Sequence, residues 1–209
     1  MRNCIRFVTL LIVMIHISVA KAGAYEDFFL AAQRDDAATI TSLFQRGFDP
    51  NSRNPEGQVG LTIAARVQAG HALEALLAHP SVDVDAANPA GETALMLVAL
   101  KGDLGWCQRL IERGAAVQRE GWSPLHYAAT GPSVQVVELL LARGAPVDAV
   151  SPNGSTPLML AARYGSEETV NLLLARGADV ARRNERQLRA ADFARLGGRE
   201  ALAARLVRP

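Results

Sequence analysis

Cysteine is nearly missing: Cys4 and Cys107 are the only two. Cys4 lies ahead of an N-terminal apolar run. If that run is removed on export, Cys107 is left alone and an intramolecular disulfide is excluded. Stability must then come from packing. Lysine occurs only at Lys21 and Lys101, and histidine only at His16, His71, His79 and His126. His71 and His79 have no cysteine or acidic cluster to complete a ligand set, so no metal and no cofactor are expected. No CxxC, HExxH, phosphate-loop or GxSxG pattern occurs, and the chain is not expected to be an enzyme. Aromatic residues make up 5% of the chain. The apolar residues are mainly Ala, Leu and Val, which suits thin helices in close layers. A basic stripe is also missing, which argues against a nucleic-acid partner.

The longest apolar run is Phe7 to Ala20, softened by Thr9, His16 and Ser18. Arg2 and Arg6 precede it, and Ala20, Ala22, Gly23 and Ala24 follow. Charge, apolar core and small-residue site in that order read as a secretory signal peptide. As a helix its fourteen residues span about 21 Å, short of a hydrocarbon core of about 30 Å. We expect residues 1–22 to be a signal peptide, with cleavage after Ala22 preferred to Ala24. An uncleaved membrane anchor is the less favoured alternative. Cys4 is wrongly placed for a lipoprotein acceptor. The Ala- and Arg-rich, Lys-poor composition favours a bacterial periplasm as the destination, with the extracellular space next.

Charge is uneven. Nine arginines and four acids fall between Arg176 and Pro209, whereas Tyr25 to Ala175 carries ten bases and seventeen acids. A solvated face on the last helices accounts for this. The alternative is an envelope-associated or membrane-surface role through a basic C-terminal cap.

What the chain does have is repetition. Gly121-Trp122-Ser123-Pro124-Leu125-His126-Tyr127-Ala128-Ala129 leads to Leu139-Leu140-Leu141-Ala142-Arg143-Gly144-Ala145. Ser123 is a good N-cap, and Pro124 suits a first helical turn, where its missing N–H has no partner to lose. Gly144 stops the second helix. Gly154-Ser155-Thr156-Pro157-Leu158-Met159-Leu160-Ala161-Ala162 begins a second copy that ends at Gly177. Gly91-Glu92-Thr93-Ala94-Leu95 begins another, and Gly57 a weaker one with Gly60 where proline is absent. The starts at 57, 91, 121 and 154 are 34, 30 and 33 residues apart. The 30-residue interval predicts an abbreviated hairpin before Gly121.

This pattern resembles the ankyrin repeat, whose signature is close to T-P-L-H-x-A. Ser123, Pro124, Leu125 and His126, and Thr156, Pro157 and Leu158, carry the match best. The resemblance implies an all-α fold, a solenoid of stacked helix–turn–helix units joined by β-hairpin-like loops. It covers residues 24–207, with repeats at about 24–54, 55–88, 89–119, 120–150 and 151–184 and a C-terminal cap at 185–207. In the cap Gln187 stands where the other repeats have glycine. Leu125, Ala128, Ala129, Val137, Leu140 and Leu141 should form one core layer, and Leu158, Ala161, Ala162, Val170, Leu173 and Leu174 the next. Cys107 aligns with Val137 and Val170 and should be a buried, inert thiol. By resemblance, His126 bonds within and between repeats, which makes a Ser123–His126 catalytic pair improbable; Thr62, Met96 and Met159 replace it in other copies.

The resemblance also implies a non-catalytic, monomeric module that binds a protein partner through a concave groove, with no small-molecule substrate. Its hairpin tips and first helices map to Gln33, Arg34, Gln58, Arg66, Val67, Glu92, Leu100, Lys101, Trp122, Thr130, Asn153, Ser155, Arg163 and Tyr164. Trp122, Arg163 and Tyr164 stand out, because large aromatics beside arginine are common in binding hot spots. The sequon Asn153-Gly154-Ser155 is explained by an Asn-Gly turn.

Overall fold

The computed structural model describes residues 23–207, so the expected signal peptide lies outside the described residues. The described residues hold twelve helices and one isolated antiparallel bridge, Arg53 to Val59. The chain divides into two compact units, one ending at Val82 and the other beginning at Asp83.

The first unit contains α1 (23–34), α2 (Ala37–Gln45), α3 (Gly60–Val67) and α4 (Gly70–Ala78). Phe28 is fully buried at its centre, with Phe48 4.7 Å away between ring centroids. Gly60 takes the place of the helix-starting proline for a steric reason. A Cβ there would lie 2.7 Å from the Phe28 ring. The Ala69 N-cap of α4 offers no side-chain cap, and Asp35 supplies one from the turn between α1 and α2. Its carboxylate accepts from the Ala72 amide at 2.8 Å and pairs with His71 Nδ1 at 2.7 Å. Slight burial pushes the Asp35 carboxyl up, but the Ala72 and His71 contacts outweigh it and hold the group below the usual carboxylate range.

The second unit is built from four helix pairs: α5 (Ala94–Lys101) and α6 (Leu104–Glu112), α7 (Pro124–Thr130) and α8 (Val134–Ala142), α9 (Pro157–Tyr164) and α10 (Glu167–Ala175), and α11 (Ala190–Leu196) with α12 (Glu200–Val207). The first helices pack in the order α5, α7, α9, α11, and the second helices α6, α8, α10 form a parallel row. Leu125, Ala128, Ala129, Leu158, Ala161 and Ala162 are fully buried between them, as the repeat pattern requires. The second helices sit in a slightly different register from that expected. Leu141 and Leu174 are half-buried, while Val136 and Thr169 are buried beside Val137 and Val170. The buried face therefore runs through positions one, two and five of each set rather than ending on the last leucine.

Hairpin turns are tied by a residue the sequence pattern had not singled out. Asn54, Asn88 and Asn184 each accept, through the backbone carbonyl, from the residue three places on, at 2.8 to 2.9 Å. Their side-chain oxygens accept from the amide four places on, at 2.7 to 3.0 Å. The turn residues Gly57, Gly91 and Gly154 have φ near +75°, where a Cβ is disfavoured. Gln187 adopts φ 61° at the matching place in the cap. Before Gly121 the chain forms bends rather than a hydrogen-bonded turn, the abbreviated hairpin expected from the shorter spacing.

The caps of the first helices also repeat with substitution. Asp192 Oδ2 accepts from the Arg189 amide at 2.9 Å, and the Met159 sulfur from the Thr156 amide at 3.4 Å. His126 does the same from α7 and alone adds a bond to the next repeat.

Candidate functional site

His126 is buried between α7 and the following hairpin. Its Nδ1 accepts from the Ser123 amide at 3.2 Å and contacts the Ser123 hydroxyl at 2.8 Å. That makes Nε2 the protonated nitrogen, which donates to the Ser155 carbonyl at 3.1 Å. Burial pushes the imidazole pKa down, against the raising effect of its carbonyl contacts, so the ring is held neutral. Both nitrogens are engaged in architecture, which leaves no base for Ser123. Ser155 itself is buried, its hydroxyl side facing Asn184 and its carbonyl holding His126. It does not line a groove, because the inter-repeat bond draws it inward.

One edge of His126 closes an open apolar recess of about 220 Å³ in the second unit, lined also by Leu100, Trp122, Tyr127, Thr130 and Leu160. Leu100 comes from the end of α5, Tyr127 and Thr130 from α7, and Leu160 from α9. Trp122 enters from the abbreviated hairpin and meets the His126 ring edge-on, 5.4 Å between centroids. Tyr127 donates to Glu92 Oε1 at 3.2 Å across adjacent repeats, and Thr130 donates to the Tyr127 carbonyl at 2.8 Å. The structure thus brings together Leu100, Trp122 and Thr130. Tyr127 and Leu160 were missed: both sit inside the repeat motif, where pattern alone assigns them to the core. Their aromatic and branched ends are long enough to reach the opening.

The other expected residues fall elsewhere. Arg163 lies over the Tyr164 ring at 4.9 Å, and Tyr164 is 58% exposed, so this pair stands beside the recess without lining it. Lys101 is exposed next to Leu100, and Asn153 sits at a hairpin tip, where its side chain accepts from Ser151 and Ser155. In the first unit, Gln33, Gln58, Arg66 and Val67 line a second recess of about 210 Å³ with Phe29, Leu30, Asn54 and Ile63. Arg34 is exposed and lines neither.

Among the described residues no group of three His, Cys, Asp or Glu is placed to hold a metal, and no helix is long and apolar enough to cross a membrane. Cys107 is fully buried and burial pushes its thiol up to about 12. It packs where the repeat register put it. The C-terminal arginines are largely engaged. Arg195 pairs with Asp192 at 2.8 Å, Arg176 with Glu138 at 3.1 Å and Arg205 with Glu167 at 3.5 Å. Arg199 donates to the carbonyls of Ala161, Ala162 and Gly165, closing the end of α9.

The family model for ankyrin repeats (3 copies) matches residues 28–120 and 96–184. Human transient receptor potential cation channel subfamily A member 1 is 27% identical over 117 residues, 54% of this chain and 10% of that protein. The mouse B-cell lymphoma 3 protein homolog is 33% identical over 117 residues, 53% of this chain and 26% of the relative. Human neurogenic locus notch homolog protein 2 is 35% identical over 119 residues, 56% of this chain and 5% of the relative. The matched segment is thus a small part of each of these relatives. A solved chain similar in fold comes from the complex of a predatory endopeptidase from Bdellovibrio bacteriovorus with an immunity protein. It aligns with TM-score 0.75 and 26% identity over 87% of this chain and 97% of its own length.

Proposed function

Because the chain belongs to the ankyrin-repeat family, a family of protein–protein interaction modules, we propose that it is an exported, non-catalytic module that binds a protein partner. The contact runs through the first-helix face of the second unit. The carrying observation is the open recess where Leu100, Trp122, Tyr127, Thr130 and Leu160 converge in a region with no catalytic constellation. A stable interface of about 800 Å² per partner would extend past the recess to Lys101, Arg163 and Tyr164. The endopeptidase–immunity protein complex supports a peptidase as the partner class, and a periplasmic location fits the N-terminal pattern.

Crosslinked capture from the exported fraction tests this reading, with the intact mass of the bait measured alongside. The bait should lack residues 1–22 and recover a peptidase. Trp122→Ala should weaken capture by about 30-fold, the cost of a roughly 2 kcal/mol hot spot. Retention of residues 1–22 contradicts cleavage, and equal recovery by wild type and Trp122→Ala contradicts the site.

A further inference from the structure

The recess in the second unit restricts what can enter it. Three polar side chains of its wall are already engaged: His126 with Ser123 and Ser155, Tyr127 with Glu92, Thr130 with the Tyr127 carbonyl. An occupant with a polar tip would lose its hydration there and gain no hydrogen bond from these groups. At about 220 Å³ the space falls below the roughly 300–1,000 Å³ of small-molecule sites. It has the scale of one large apolar side chain.

Beside the recess lie two cations on the helix-end side and one carboxylate, Glu92, on the hairpin side. Lys101 closes α5 and Arg163 lies near the end of α9, on the two helices that flank α7 and Thr130. No carboxylate is paired with either cation among the described residues; Arg163 rests on the Tyr164 ring. Glu92 keeps its charge, but Tyr127 and the Asn88 side-chain amide, at 2.8 Å, hold its two oxygens on the hairpin side, so an acidic segment would lie toward the Lys101 and Arg163 end. We propose that the recess takes a single leucine, methionine or phenylalanine side chain from an acidic segment of the partner, whose flanking carboxylates meet Lys101 and Arg163. This rests on the reading of the recess as the partner site, and it adds the chemistry of the segment.

The test uses the full chain carrying Trp106→Phe, which leaves Trp122 as its one tryptophan. Three synthetic peptides are titrated while Trp122 emission is followed: acetyl-Gly-Glu-Asp-Phe-Asp-Glu-Gly-amide, the same peptide with asparagine for phenylalanine, and the same peptide with lysine for each acid. The first should shift the emission and saturate, and the other two should bind at least about tenfold more weakly. Lys101→Glu/Arg163→Glu should reverse the order of the acidic and basic peptides. Equal affinity for all three peptides, no saturation by any, or an unchanged order in the charge-reversed chain overturns the proposal. A concentration-dependent dimer lost in Leu100→Asp also overturns it, by assigning the recess to a second copy. Trp122-dependent capture of a partner without discrimination among the peptides sinks this inference alone. Failure of both capture and peptide binding sinks the partner site with it.

Discussion

Gly165→Ala should lower the unfolding free energy of the second unit by about 3 kcal/mol, at the upper end of overpacking costs. Gly165 has φ −82°, a conformation open to any residue. The obstacle is space. An added Cβ would lie 2.4 Å from the Ala129 carbonyl oxygen and 3.0 Å from the Ala161 Cα, both backbone atoms that cannot rotate away. The same close approach recurs at Gly131 against the Ala99 and Leu100 carbonyls and at Gly197 against the Arg163 carbonyl. These glycines let the end of one first helix rest on the carbonyls of its neighbour. Gly105→Ala is the control of opposite sign. Gly105 lies inside α6, with Asp103 Oδ1 at 3.6 Å as the nearest atom to an added Cβ. There alanine should raise stability by about 0.5 kcal/mol through helix propensity and a less flexible unfolded chain. Chemical denaturation of the two variants should move the midpoints in opposite directions.

His126→Ala should cost about 3–4 kcal/mol, from the emptied buried space and from leaving the Ser155 carbonyl and Ser123 amide with a lost partner. It should also change the pH dependence. Burial depresses the folded-state pKa of His126, while the unfolded value stays near 6.5. Between those two values the unfolded chain holds more protons than the folded one, so stability rises with pH. The neutral-histidine contribution is complete above about pH 6.5 and declines as pH falls below it. Denaturation at pH 7.5 and 5.5 should show wild type losing stability on acidification and His126→Ala losing less. Equal losses would place the dependence elsewhere.

The repeat period and the glycine stops were legible because both follow from short-range backbone geometry. Gly57, Gly91 and Gly154 recur at turn positions with positive φ, and recurrence identifies them without knowledge of the neighbour. Gly131, Gly165 and Gly197 were not legible as close-approach residues, since what excludes a side chain there is an adjacent repeat. The same limit explains the core. Leu141 and Leu174 look like core leucines in sequence, yet the face each second helix turns to its neighbours buries Val136 and Thr169 instead. At the site, Leu100, Trp122 and Thr130 were found because they break or flank the motif. Tyr127 and Leu160 were hidden within it, and Ser155 was misplaced because its backbone bond to His126 is long-range.

Site-specific photocrosslinking in the producing cells tests the central claim most directly. A benzophenone side chain is placed at position 100 in place of Leu100, and at position 108 in place of Gln108, an exposed residue of α6 on the second-helix row. Position 100 should give one discrete covalent adduct with a protein, lost when Trp122→Ala is added, and position 108 should give none. An adduct from position 108 with none from position 100, or an adduct from position 100 that Trp122→Ala leaves unchanged, would contradict binding through the recess.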